Sequence, residues 1–392
     1  MKLAMIGYGQ AGGKILDKFL EYDQRHGSNI VRAALAVNTA KADLMGLQHV
    51  PEENRVLVGQ SRVKGHGVGA DNELGAEVAE EDIDEVMSAM DDVPAHEVDA
   101  FLIIAGMGGG SGSGGGPVVA RHLKRIYTEP VYALGVLPSS DEGGIYTLNA
   151  ARSFQTFVRE TDNLLVFDND NWRNAGESMQ GGYDAINQEI VDRFGLLFGA
   201  GEVEHGGEVA ESVVDSSEII NTLSGGGVST VGYASETIER EDTGLLSRFR
   251  GNGGGDDSLD AAQTTNRVTS LVRKATLGRL TLPCEVNGVE RGLLVMAGPS
   301  KYLNRKGIER GRKWMEEQTG SMEVRGGDYP LRSAGEVSSI VLLSGVTDCA
   351  RIKQLQQVAI EAQDNIDEIR DESDHNLDNL VNDGQDELEP LF

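Results

Sequence analysis

Residues 101–116 read FLIIAGMGGGSGSGGG, a strand's worth of apolar side chains running straight into a polyglycine loop. An amphipathic stretch, PVVARHLKRIY, follows. A glycine run after a buried strand lets successive backbone N–H groups turn toward one point, and a helix behind it adds the positive end of its dipole. Together they form an anion cradle. A flexible Gly/Ser linker has a similar composition, but linkers are not introduced by FLIIAG, and the context argues against that reading.

At 392 residues the chain has length for two domains and a substantial core. No segment approaches the ~18 consecutive apolar residues that a membrane span needs. The opening MKLAMIGYGQ reads as a strand entering a glycine turn and lacks a signal-peptide pattern, so a cytoplasmic protein is expected. Two cysteines, Cys284 and Cys349, make no disulfide framework and are expected as buried free thiols. With 63 acidic against 35 basic residues, the net charge of −28 disfavours nucleic acid as a partner. The stretch Asp364–Glu389 holds eleven acids against Arg370, yet more than half of the imbalance lies elsewhere. An acid excess spread along a folded chain suits concentrated salt, where self-repulsion is screened, and predicts a halophilic source.

Over roughly the first 165 residues, short apolar runs (Leu3–Ile6, Ala33–Val37, Phe101–Ala105, Val131–Leu137, Leu164–Phe167) alternate with helical patterns (Gly75–Met90, Val118–Tyr127, Ile145–Val158). This is the rhythm of a Rossmann-like parallel sheet covered by helices on both faces, with glycine turns at strand exits where such sheets bind ligands. The spacing predicts a first domain over 1–180, a long central helix over 181–200 and a smaller α/β domain over 201–362. In that second domain, apolar runs fall at Leu293–Ala297 and Ile340–Ser344, and helical patterns at Leu259–Leu277, Asn304–Gln318 and Cys349–Ile369. Gly199–Gly207 and Arg248–Asp257 read as mobile loops. Residues 363–392 form an acidic tail expected to be disordered. It ends in Leu388–Phe392, which reads either as a docking peptide for an adaptor or as a solvated terminus.

Gly7-Tyr8-Gly9-Gln10-Ala11-Gly12 satisfies G-x-G-x-x-G between a strand and a helix, which taken alone points to a dinucleotide enzyme. That motif wants a carboxylate at the end of the second strand, and this strand ends Val37-Asn38-Thr39-Ala40. A nicotinamide enzyme also has no use for a second, richer phosphate loop. The same residues resemble the tubulin/FtsZ superfamily. Gly108-Gly109-Gly110-Ser111-Gly112-Ser113-Gly114 is similar to its GGGTGSG signature, with serine for threonine. Gly9-Gln10-Ala11-Gly12 resembles the GQAG of tubulins, and Val37-Asn38-Thr39 the VNTD of FtsZ, with Ala40 in place of the aspartate. Gly65 to Glu73, carrying Gly69, Ala70 and Asp71, resembles GLGAGANPE, the loop that senses the terminal phosphate.

The resemblance implies a base and sugar half as well. Leu164 to Asp170 is similar to the strand ending IPND, which places Asn169 at guanine. Tyr183 and Asn187 lie four apart, on one helix face, at the spacing of the family's base-binding pair. Glu142 falls on the ribose-binding glutamate of a loop ending FEG. FtsZ's arginine four residues on is replaced by Tyr146, and Asp141 has a second reading as a helix cap. Val213-Val214-Asp215-Ser216-Ser217-Glu218 resembles the catalytic NVDxxD or NVDxxE loop, with valine for asparagine; Asp215 and Glu218 also fit a capping box.

The resemblance therefore implies a GTP-binding domain joined by a central helix to a second α/β domain, GTP or GDP with Mg²⁺ as cofactor, and no assignable metal ligand. It implies head-to-tail filaments in which Asp215 and Glu218 of one subunit complete the site of the next. Lateral contacts through 248–257 are a further expectation. Mixed tubulin-like and FtsZ-like loops in an acidic chain most resemble the haloarchaeal CetZ group, linked to cell shape. The alternatives are a division ring of FtsZ type and a GTP-dependent switch that polymerises little.

Overall fold

The computed structural model describes residues 1–91, 93–172, 179–200, 214–238, 261–331 and 334–363. Of the expected tail, Gln363 is described as helix and residues 364–392 lie outside, as do the stretches 201–213 and 239–260. The strands are β1 (Leu3–Tyr8), β2 (Val31–Asn38), β3 (Arg55–Leu57), β4 (Ala100–Gly106), β5 (Val131–Leu137), β6 (Asn163–Asp168), β7 (Val228–Thr237), β8 (Arg291–Gly298), β9 (Glu323–Pro330) and β10 (Glu336–Ser344). They form one ten-stranded sheet in the order β3-β2-β1-β4-β5-β6-β7-β10-β8-β9. The first seven strands run parallel; β10 is antiparallel to both β7 and β8, and β9 is parallel to β8.

The unbroken apolar character of Phe101–Ala105 follows from burial on both faces. Phe101, Ile103 and Ala105 enter one core, and Ala100, Leu102 and Ile104 enter the other. Helices α1 (Gly9–His26), α2 (Lys41–Met45), α3 (Gln60–Val63), α4 (Asn72–Glu81), α5 (Ile83–Met90), α6 (Ser111–Ile126), α7 (Gly144–Glu160), α8 (Met179–Gly199), α9 (Ser216–Leu223), α10 (Ala261–Leu277), α11 (Arg305–Thr319) and α12 (350–363) cover it. The central α8 packs Ile190, Phe194 and Phe198 into the core that holds Leu16 and Phe19 of α1. The amino terminus of Met1 donates to Phe198 O at 2.6 Å.

The α/β class with a central helix is as the sequence implies. Three features differ in detail. The strands of the second region extend the first sheet through the pairs Leu164↔Val228 and Leu165↔Ser229. The helical pattern at Gly75–Met90 divides at Asp82, whose carboxylate turns to accept Gly59 N. The polyglycine run is largely helical: only 107–110 is loop, and α6 starts at Ser111. Glycines make a poor helix intrinsically, but tight packing here requires them. A Cβ on Gly112 would lie 2.8 Å from Tyr8 O, one on Gly114 2.2 Å from Asn72 O, and one on Gly115 2.3 Å from the Tyr8 ring. Across the same contact, a Cβ on Gly75 of α4 would lie 2.4 Å from Gly110 O.

Cys349 is buried and Cys284 half-buried, both as free thiols. No helix among the described residues is long and apolar enough to cross a membrane.

The α4–α6 contact is backbone against backbone at Gly114 and cannot yield by a rotamer change. Gly114→Ala should therefore destabilise the fold by about 1–3 kcal/mol, read by urea unfolding in molar KCl. Unchanged stability would show that the two helices can separate freely.

Candidate functional site

Because β1, β2, β4, β5 and β6 are parallel, the segments that follow them emerge at one edge of the sheet. Contacts knit these segments into one surface. Gly9, at φ +74°, turns β1 into α1 where an added Cβ would sit 2.8 Å from Gly112 N. Ala11 and Gly12 follow in the first turn, and Gly12 is bare because a Cβ would lie 2.1 Å from Ile104 O. After β2, Asn38 accepts Ala40 N at 3.1 Å and donates to Asp43 Oδ2 at 3.1 Å, while Gln10 donates to Asp43 Oδ1 at 3.2 Å. The Thr39 and Ser111 hydroxyls bond at 2.7 Å.

The loop at 65–71 packs against the same α6 terminus. Gly69 and Ala70 are both left-handed, at φ +59° and +64°. The Ala70 conformation costs a side chain strain. The Asp71 side chain caps α4, accepting Leu74 N at 3.0 Å. A Cβ on Gly110 would meet Asp71 N and O at 2.9 Å, and Ser113 Oγ bonds back to Gly109 O. Gly108 is covered by Pro138, whereas Gly109 and Gly69 face open space, where an added Cβ would touch no protein atom.

Asn149 of α7, only 1% exposed, holds two of these loops together. Its amide donates to Ala70 O at 2.6 Å and to Gly108 O at 3.0 Å. Sequence reasoning missed it; the available signal is an amide placed among the apolar positions of the helical pattern at Ile145–Val158.

Among the residues expected to meet the sugar and base, Glu142 is half-buried and accepts Ser139 N at 2.8 Å. Asp141 accepts Ser139 Oγ at 2.6 Å and does not cap α7, whose N-cap is Gly143. Asp170 accepts both Ser140 N and Ser140 Oγ, at 2.9 and 2.7 Å. Burial pushes the Asp170 carboxyl upward, but these bonds outweigh it and leave the group below its ordinary value. Asn169 is buried, with its Oδ1 unpartnered. A buried acceptor without a donor is costly, and the Watson–Crick edge of guanine offers donors that would satisfy it. Tyr183 and Asn187 lie half-buried on α8, Tyr183 against the core of Phe167 and Ile186. The residues present therefore fit a guanine nucleotide.

The carboxylate pair stands elsewhere. Asp215 caps α9 and accepts Glu218 N at 3.1 Å. The Ser217 hydroxyl bond holds the Asp215 carboxyl below its ordinary value. Glu218 does not close the capping box; it pairs with Arg325 Nη1 of β9 at 3.0 Å. The end of α9 is fastened to the start of β6, where Asn163 Nδ2 donates to Leu223 O and Gly226 O at 3.0 Å. Asn169 lies past the other end of that strand. Six residues of β6, at about 3.3 Å each, set the two edges roughly 20 Å apart. Among the described residues no cluster of three or more His, Cys, Asp or Glu can hold a metal.

The parallel sheet, converging glycine loops and distant carboxylate helix define a GTPase of the tubulin/FtsZ kind. The family model "Tubulin/FtsZ family, GTPase domain" matches residues 2–177, and "Tubulin-like CetZ, C-terminal domain" matches 176–361. Tubulin-like protein CetZ1 of Haloferax volcanii is 75% identical over 373 residues, 94% of each chain. The solved GDP-bound monomer of CetZ1 superposes with TM-score 0.82 at 69% identity, covering 93% of this chain and 100% of that one. The GTPγS-bound protofilament of Haloferax volcanii CetZ2 gives TM-score 0.82 at 46% identity over 94% and 100%. The chain belongs to the tubulin-like CetZ family. The halophilic source expected from charge fits these Haloferax relatives.

Replacing Asn149 by Ala leaves the buried Gly108 carbonyl and the part-buried Ala70 carbonyl without this donor. It should weaken binding of a fluorescent guanine nucleotide by about tenfold, the equivalent of ~1–2 kcal/mol, in equilibrium titration. Wild-type affinity would show that the loops keep their spacing without it.

Proposed function

We propose that this chain binds GTP across the loops at the exit edge of the sheet, assembles head-to-tail, and hydrolyses GTP between subunits. Gly9–Gly12, Asn38, Gly69–Asp71 and Gly108–Ser113 hold the phosphates, with Asp71 contributing backbone and not its capped side chain. Glu142 meets the ribose, and Asn169, Tyr183 and Asn187 hold the base. Mg²⁺ expected with the nucleotide would neutralise phosphate charge, and Asp43, held by Gln10 and Asn38, would be the carboxylate available beside the first two loops.

The observation that carries this reading is the separation of the carboxylates from the loops. On this reading Glu218, on the helix fastened to the start of β6, belongs to the opposite edge of the sheet from the phosphates of its own subunit. Phosphoryl transfer to water needs a group that positions and polarises the attacking water. Stacking one subunit's α9 edge on the next subunit's loop edge supplies it, and a contact that does not close makes a filament. Asp215 and Glu218 then orient the water, and Glu218 must exchange Arg325 for it. Such filaments serve cell shape, as the CetZ relationship favours over a division ring. Lateral contacts through 248–257 and an adaptor at Leu388–Phe392 belong to the same proposal, as does a cytoplasmic location.

GTP turnover per molecule should rise with protein concentration in several-molar KCl, in parallel with light scattering. Glu218→Gln should lower turnover by about 10²–10⁴-fold while scattering persists or grows. Turnover independent of concentration would instead identify a self-contained switch.

A further inference from the structure

Arg351 stands at the start of α12 and reaches the rim of the nucleotide site from the far end of the chain. Its Nε lies 3.2 Å from Asp168 Oδ1, and its Nη2 donates to Pro138 O at 2.9 Å. Its Nη1 is engaged more loosely, with Gln354 Oε1 at 3.4 Å. The two side chains of the ion pair are only 10% and 3% exposed. Asp168 ends β6 and immediately precedes Asn169, while Pro138 follows β5 and leads into the turn that carries Glu142. One guanidinium therefore ties the base-side segment to the sugar-side segment. The β5–β6 ladder joins the same segments up to the pair Leu137↔Asp168; beyond it, the two bonds from Ser140 to Asp170 are solvent-exposed. Pro138 also lies where a Cβ on Gly108 would go, at 3.1 Å, so its position is felt by the phosphate loop.

We propose that Arg351 is a positioning residue for the guanine nucleotide. It sets the spacing between Asn169 and Glu142 and couples the seating of α12 to nucleotide affinity. This inference rests on the nucleotide site proposed above. The chemistry requires arginine: its rigid fork donates in two directions at once, which a lysine point charge does not reproduce. Counter-charge is a separate role, because burial pushes the Asp168 carboxyl upward and Arg351 draws it back. By linkage, bound nucleotide tightens α12 on the rim as much as α12 tightens the nucleotide.

The two roles separate experimentally. Binding of mant-GDP and mant-GTP, the GDP release rate and thermal unfolding would be measured in molar KCl for a set of variants. Arg351→Met should weaken binding about tenfold, with faster release, because the loops are no longer preorganised. It should also lower the Tm, since a buried carboxylate is left unpaired. Adding Asp168→Asn removes that charge, so the Tm should recover while affinity stays low. Joint recovery of Tm and affinity would reduce Arg351 to a counter-ion and overturn the proposal. Binding by Arg351→Met or Arg351→Lys within about twofold of wild type would overturn it too. If Arg351→Met does not fold, the double variant and Arg351→Lys carry the test.

Gln363→Ala removes the contact of α12 with Arg152 at the helix's other end and should leave affinity unchanged. An equal loss there would make general loosening of α12 the cause, against the proposal. Asn169→Ala distinguishes the levels. If it weakens binding and Arg351→Met does not, only this inference fails; if neither does, the assignment of the site itself fails.

Discussion

The approach of α6 to β1 and α4 is the contact on which the nucleotide site depends. Helices ordinarily pack 8–10 Å apart because side chains separate their axes. Here a face of glycines removes the spacers, and the backbone of α6 meets Asn72 O and the Tyr8 ring directly. The α6 terminus is thereby drawn down among the exits of β1 and β2 and the 65–71 loop, and Gly9, Thr39 and Asp71 all touch it. The helix gives up intrinsic propensity for this position. Its packing, buried on both sides, supplies the compensation.

This arrangement explains what could be read in the chain and what could not. Strands with both faces covered announce themselves as unbroken apolar runs, and β1, β4, β5 and β6 are of this kind. So is the resemblance of each loop to its superfamily counterpart. β9 (EVRGGDYP) and β3 (RVL) lie at the two sheet edges and carry charge and glycine, so no run marked them. The helical state of Gly112–Gly116 was hidden because intrinsic propensity argues against a tertiary outcome. Asn149 and Arg351 were invisible for another reason. Each acts on backbone carbonyls or a carboxylate 41 to 213 positions away; the pattern around Asn149 marks an amide out of place but not its partners, and nothing local marks Arg351.

Asp215 and Glu218 fit two readings at once, and the structure accommodates both. Asp215 caps α9, as a local reading demands. Glu218 is released from the cap and held instead by Arg325 of a neighbouring strand. The cap fixes the direction in which the helix start projects. The pair with Arg325 is half-exposed and so worth little energetically. If Glu218 changes partners on assembly as proposed, a weak partner serves it well.

The continuity of the sheet has a mechanical side. Each parallel strand runs from the carboxylate edge to the loop edge, which in the proposed filament is the direction of the filament itself. Tension along the polymer then falls along the covalent backbone of β1, β4, β5 and β6. The hydrogen-bond ladders between them are loaded together in shear and are not opened one by one. Within a subunit such a load meets no ladder that opens strand by strand, and in the proposed filament the seams left to yield are the contacts between subunits, where the proposal places the nucleotide.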